Sequence, residues 1–295
     1  MIEQQPLGEW VDRIDTELVR YFSGKDLSAN PLERAMEYTV LAGGKRIRPL
    51  LTMVACAEYG GDGPAALPMA LSSELLHTYS LIHDDLPCMD DDAMRRGKPT
   101  NHIIFGEANA ILAADALQAE AFAILADADY PGLDAARRCS VISELAEAVG
   151  RRGMVAGQIM DLGMTGKTIN LEQLELLHRR KTGCLLRFCV RLGGFLADVS
   201  PAVLANLTTY ANAIGLMFQV VDDLLDEEGD SGAMGKTMGK DHQSRKSTFP
   251  KLMGAEEAHR YADRLLEEAL AALGQDGKRD GLLGVIASFI RTRNH

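Results

Sequence analysis

Two clusters of carboxylates carry the spacing most directly suited to chemistry: Asp84-Asp85-Leu86-Pro87-Cys88-Met89-Asp90 and Asp222-Asp223-Leu224-Leu225-Asp226. In the second, Asp222 and Asp226 stand at i and i+4 and Asp223 three residues before Asp226, so a helix gathers them. The apolar run Ile214-Gly215-Leu216-Met217-Phe218-Gln219-Val220-Val221 precedes them, which places the cluster at the end of a buried helix. Carboxylates there need a counter-charge, and clustered oxygens suit a hard divalent cation, Mg2+ or Mn2+. The first cluster also ends an apolar helix. On a straight helix Asp90 lies about 120° around from Asp84. Pro87 disfavours helical geometry at Leu86, so a local bulge that returns Asp90 to the Asp84 face is expected. Acidic residues can merely solvate helix ends, but carboxylates at two helix C-termini run against the dipole.

Cations gather near both clusters although the chain is acidic, with 31 Lys and Arg against 42 Asp and Glu and a net charge of −11. Gly43-Gly44-Lys45-Arg46-Ile47-Arg48-Pro49 sets three cations at a helix start, where an anion reconciles them with the dipole. Arg95-Arg96-Gly97-Lys98 follows the first cluster, Arg179-Arg180-Lys181-Thr182-Gly183 interrupts an apolar helix, and Lys236, Lys240 and Lys246 follow the second cluster. Arg137-Arg138 and Arg151-Arg152 read as solvated faces. Metal-binding carboxylates flanked by Arg and Lys describe a site for a diphosphate ester. The acidic balance argues against nucleic acid as a partner. His77 and His83, six apart, lack metal-pair spacing, and the glycines at 229 and 235 miss the phosphate-loop spacing with no strand before them.

The elements that must position these groups are helical. Periodicity and cap signals predict helices over 31–42, 47–59, 65–86, 107–128, 134–150, 171–197, 201–226, 255–273 and 281–293, with no convincing strand. Ala and Leu abound while aromatics are 5%. The fold expected is one all-α domain over 1–295, a bundle of roughly ten or more helices. Five cysteines without a CxxC pair point to a reducing cytoplasm. No run of about 18 apolar residues goes unbroken, so no membrane span is expected. The polar stretch 227–247 reads as a functional loop.

Taken together, the ordered motifs resemble the trans-isoprenyl diphosphate synthases, most closely the bacterial farnesyl diphosphate synthases. The resemblance runs over 41–293 and adds Gly157-Gln158-Ile159-Met160-Asp161-Leu162 and Lys246-Ser247-Thr248 to the motifs above. It implies the isoprenoid synthase fold with its helices around a deep central cavity, a homodimer, and three Mg2+ ions holding an allylic diphosphate between the two aspartate motifs. By that resemblance Asp84, Asp85 and Asp90 hold metal from one side and Asp222 and Asp226 from the other, with Asp223 beside them. Lys45, Arg48, His77 and Arg96 match positions that hold isopentenyl diphosphate. Arg95, Lys181, Thr182, Gln219, Lys236 and Lys246 match those that hold the allylic substrate. The implied chemistry is ionisation, condensation and elimination, with Lys181, Thr182 and Gln219 near the carbocation and the 227–247 loop excluding water. Val221, where the family often has Gln, and the tail Arg293-Asn294-His295, where a more basic one is common, are departures.

In the family the residues just before the first motif form the cavity floor, here Tyr79 and Ser80 about one turn below Asp84. A Tyr ring there predicts a C15 product, farnesyl diphosphate, with the C20 geranylgeranyl diphosphate as the alternative. A terpene cyclase is disfavoured by Lys45, Arg48 and Arg96, since it needs no second diphosphate. A non-catalytic partner subunit is disfavoured because both aspartate motifs are intact.

Overall fold

The structure, a computed structural model, describes residues 7–23, 30–228 and 246–293. The helices run in the order α1 (Leu7–Phe22), α2 (Pro31–Val40), α3 (Ile47–Glu58), α4 (Leu67–Asp84), α5 (Asn101–Phe105), α6 (Glu107–Asp127), α7 (Ala135–Val149), α8 (Met154–Met164) and α9 (Leu171–His178). After a π-helical turn (Arg179–Gly183) come α10 (Cys184–Leu196), α11 (Pro201–Glu228), α12 (Phe249–Met253), α13 (Ala255–Gly274) and α14 (Leu282–Thr292). The expected all-α architecture is what the chain adopts. The expectation of no strand needs one correction: β1 (Met94–Arg95) and β2 (Lys98–Pro99) pair antiparallel across the two-residue loop Arg96-Gly97. Both loop residues have positive φ, 52° and 74°. That is the geometry of a tight hairpin turn, and Gly97 makes the second position unstrained.

Local chemistry sets the helix ends. Asn30 accepts from Leu32 N at 3.0 Å, Asp134 from Arg137 N at 2.8 Å, and Asn170 and Gln173 form a reciprocal capping box. These side chains satisfy amide groups that a helix start leaves without partners. One contiguous apolar core runs from Leu7 on α1 to Ile290 on α14. The 28-residue α11 crosses its middle, packed on α10 and α13. The single helix predicted over 171–197 is instead two helices joined through the π turn, which brings Lys181 and Thr182 to a cavity wall. Four helices had no counterpart in the sequence reading: α1, α8 and the short α5 and α12.

The five cysteines are all unpaired thiols. By length and composition alone α6 is apolar enough to cross a membrane, with a mean hydropathy of 1.3 over its best window and a third of that window buried. It packs on α4 and α2 and carries Asp115 and Glu120.

Candidate active site

One cavity of about 710 Å³ opens between α3, α4, α8, the π turn, α11 and the end of α14. Asp84 and Asp222, one from each aspartate motif, stand on its wall together with Lys45, Arg48, His77, Arg95, Arg96, Lys181, Thr182 and Gln219. Tyr79 and Ser80 line it as well, and Met154, Val155, Ile159, Leu162 and Phe218 supply its apolar side.

The first motif bends as its proline requires. Helix α4 stops at Asp84, and the chain folds back so that Asp90 N donates to Asp84 O at 2.9 Å and Asp92 N to Asp85 O at 3.2 Å. Asp91 takes a positive φ of 52° in the return. Asp90 is thereby brought to the Asp84 side. Asp85 goes elsewhere: its carboxylate is buried and gripped by Arg95, with Nε 2.8 and 2.9 Å from its two oxygens and a terminal nitrogen at 2.6 Å. This two-pronged pair fixes Arg95 at the cavity wall and leaves Asp85 facing a guanidinium.

Opposite them, α8 presses on the π turn at Gly157. A Cβ there would lie 2.2 Å from the Lys181 backbone nitrogen, so only glycine permits the contact. The close approach sets Asp161, on α8, 2.6 Å from Lys181 Nζ and 3.4 Å from Lys246 Nζ. Lys246 Nζ is also 3.4 Å from Asp90, and Lys181 Nζ is 4.0 Å from Asp84. Two lysines thus sit among three carboxylates. Burial pushes the Asp84 carboxyl up to about 6, with Lys181 opposing and Asp90 and Asp161 adding their repulsion. Burial also acts against Asp161, but Lys181 and Lys246 outweigh it and hold Asp161 below the usual carboxylate range. Thr182 donates to Gln219 Oε1 at 2.7 Å across the π turn and α11.

The second motif divides. Asp222 lines the cavity and meets Arg293 at 2.5 Å. Asp223 is buried and accepts the amide of Phe249 at 2.9 Å, at the start of α12. Asp226 is exposed, and neither Asp223 nor Asp226 belongs to the cavity wall. Around Asp222 the glycine-flanked cations sort themselves. Arg46 is held on Glu74 at 2.6 Å and Asp15 at 2.7 Å, and beside it on the cavity wall stand Lys45 and Arg48. Burial lowers both of the latter, and Arg293 further lowers Lys45. Arg96, aimed by the hairpin, donates to the Gly43 carbonyl. His77 is held neutral, well below its ordinary value, by burial and then by Arg48, Arg96, Arg95 and Arg46. Such a surplus of positive charge favours an anion between α3 and the hairpin.

Two groups at the site were missed in the sequence. Asp161 carries one local signal, a lone acid in an apolar, glycine-flanked run. Arg293 carries none, since its partners lie 71 and 75 residues away. Lys236 and the core of the 227–247 loop lie outside the described residues.

The carboxylates fit magnesium in one specific sense. Among the described residues no three His, Cys, Asp or Glu side chains converge tightly enough to hold a metal by themselves. Mg2+ is commonly held by one or two carboxylates with substrate phosphates completing its shell, and Asp84 with Asp90, and Asp222 across the cavity, supply that partial set.

Comparison with known proteins agrees. The chain is 45% identical over 294 residues to the farnesyl diphosphate synthase of Escherichia coli (strain K12), covering 98% of each chain. It is 46% identical over 268 residues to a chloroplastic geranylgeranyl pyrophosphate synthase of Arabidopsis thaliana, covering 90% of this chain and 77% of that one. Its fold superposes with a TM-score of 0.81, at 33% identity and 98% coverage of both chains, on a geranyltransferase of Helicobacter pylori crystallised with magnesium and isoprenyl diphosphate. The family model for polyprenyl synthetase matches residues 29–281, and the chain belongs to that family.

Proposed function

We propose that this protein is a prenyltransferase that condenses isopentenyl diphosphate with dimethylallyl and geranyl diphosphate, giving farnesyl diphosphate and releasing diphosphate. One observation carries the reading: a single cavity joins two carboxylate walls, two separate cationic groups and an apolar side. One cationic group, Lys181 and Lys246, faces the Asp84–Asp90 side. The other, Lys45, Arg48 and Arg96, lies near Asp222 and Arg293. Two anionic head groups and an apolar tail fit such a division, whereas a cyclase has one head group to place.

Magnesium, as three ions in this proposal, supplies charge neutralisation of the allylic diphosphate when bound. Asp84, Asp90 and Asp222 hold it. Lys181 and Lys246 stabilise the negative charge that grows on the departing diphosphate, and Thr182 and Gln219, hydrogen-bonded to each other on the cavity wall, supply oxygen atoms for the developing cation. Lys45, Arg48, Arg96 and neutral His77 hold isopentenyl diphosphate. Arg95, fixed on Asp85, adds a charge to the allylic side.

Tyr79 sets the tail length in this reading. It is buried at the cavity wall, edge-on to His83 with ring centroids 4.9 Å apart, and Ser80 is tied to its own helix through His77 O. A homodimer and a reducing cytoplasmic setting belong to the same proposal. Incubating the protein with dimethylallyl and isopentenyl diphosphates and Mg2+ tests it. C15 diphosphate is the expected product by mass, and no elongation defeats the proposal. Tyr79→Ala is expected to lengthen the product to C20; an unchanged C15 product removes Tyr79 from this role.

A further inference from the structure

Arg46 sits between two cavity cations, Lys45 and Arg48, but is built differently from both. Its φ of 50° and ψ of 28° are left-handed, a conformation that costs a non-glycine residue energy and is kept where the surroundings enforce it. It stands directly before α3, yet its side chain gives that helix no cap. The guanidinium instead ties three other helices together. Nε donates to Asp15 on α1 at 2.7 Å, and one terminal nitrogen to Glu74 on α4 at 2.6 Å. The other terminal nitrogen donates to the carbonyl of Val40, the last residue of α2, at 2.9 Å. The Arg46 side chain is 2% exposed and Glu74 is buried with it, whereas Asp15 is half exposed. Each guanidinium nitrogen is thus engaged by protein. Arg48, two residues on, has a buried Nε–H without a partner. The turn that carries these cations also meets Arg96, since a Cβ on Gly44 would lie 2.9 Å from a terminal nitrogen of that arginine. Glu74 reaches beyond Arg46 as well. Burial lowers both Arg48 and Arg96, and the Glu74 charge opposes it in each.

We propose, on the prenyl-transfer reading above, that Arg46 is a positioning residue for isopentenyl diphosphate and that it brings the support of helix α1 into that site through Asp15. A left-handed residue relaxes when its side chain is released, and the relaxation turns the backbone between Lys45 and Arg48. Both cations then shift relative to Arg96, and a displacement of about 1 Å is enough to spoil a converging set of charges. The allylic side draws Lys181, Lys246 and Arg95 from other elements, each held on its own carboxylate. The effect is therefore selective for one of the two substrates. Asp15 matters although it is half exposed, because the donor it meets is desolvated and loses its partner outright when Asp15 is removed.

Steady-state elongation of geranyl diphosphate, with each substrate varied in turn, tests this. Arg46→Lys keeps the charge but cannot reach all three acceptors. It is expected to raise KM for isopentenyl diphosphate about tenfold and to leave KM for geranyl diphosphate within about twofold. Asp15→Ala, outside the cavity wall, is expected to raise the isopentenyl KM about threefold with the same selectivity. In the double variant Asp15→Ala is expected to add nothing further, because the bond through which it acts is already broken. A merely structural role lowers the melting temperature and the fraction of active enzyme while both KM values hold, and that result overturns the proposal. So does an isopentenyl KM that Asp15→Ala leaves unchanged, or a double variant in which the two effects multiply. Should Arg46→Lys not fold, Glu74→Gln takes its place, with the same selective rise in isopentenyl KM expected. Absence of elongation by the unmodified protein overturns the prenyl-transfer reading itself, a result distinct from the variant outcomes.

Discussion

Asp222 and Asp223 are neighbours in the chain and opposites in the fold. One stands on the cavity wall and the other caps the amide of Phe249 from beneath α12. Asp222→Asn is expected to lower the rate of elongation by about a hundredfold or more, with the melting temperature little changed. Asp223→Ala is expected to lower stability by about 1–3 kcal/mol, through the buried amide it leaves unmet, which thermal unfolding will register. The sequence shows both as one acidic cluster, because Phe249, 26 residues on, is invisible to any local pattern. His178 is a second residue whose role is set at a distance. Its ring stacks on Phe249 at 5.5 Å, both nitrogens lack partners, and it faces Asp161, Lys181 and Lys246. Burial lowers it from 6.5 to about 4, with Asp161 opposing and the lysines assisting. The folded protein therefore binds this proton less readily than the unfolded chain. The stabilisation is complete above about pH 6.5 and is lost as pH falls through about 4, amounting to roughly 3 kcal/mol. His178→Phe, which keeps the stack, is expected to flatten the loss of urea resistance between pH 7 and 4.5.

Most helices were legible because their signals are short-ranged. Asn30, Asp134 and Asn170 announce the starts they cap, and Pro87 announces the return that carries Asp90 back to Asp84. The signal at α1, with Leu7, Ile14, Leu18 and Phe22 on one buried face, was present and passed over. Helix α8 was harder to see. Gly157, Gln158 and Asp161 break its apolar pattern, and each break answers to a neighbour or to the cavity rather than to the helix itself. The π turn also left no trace in periodicity, since apolar residues recur through both helices it joins. These two unforeseen elements touch at Gly157. Gly157→Ala is expected to cost about 1–3 kcal/mol of stability, because its methyl meets backbone and not a flexible side-chain end. It should also lower elongation by about tenfold or more by moving Lys181 off Asp161. Full activity in a destabilised Gly157→Ala protein would separate the α8 contact from the chemistry.

At the scale of the molecule, the all-helical fold followed from composition and period, and the central cavity from the family resemblance. The apolar face of α5 and α6 did not, since its exposure depends on what packs beside it. Ile103 is 54% exposed and Leu112 57%, with Ile104 and Ile111 alongside. In the proposed homodimer, exposed apolar side chains of this kind are where the second copy is expected to pack. Ile103→Glu combined with Leu112→Glu is expected to halve the mass seen by sedimentation velocity, while an unchanged mass would move the dimer contact elsewhere. The site itself is drawn from Lys45, Asp84, Asp161, Lys181, Asp222, Lys246 and Arg293, nearly the full span of the chain. Synthesis delivers them in that order. At ~5–20 residues per second the interval between the first and the last is roughly 10–50 s. Through that interval the nascent chain holds carboxylates and lysines that have not yet met. An enzyme assembled this way is expected to have its cavity wall complete only once the segment carrying Arg293 has docked.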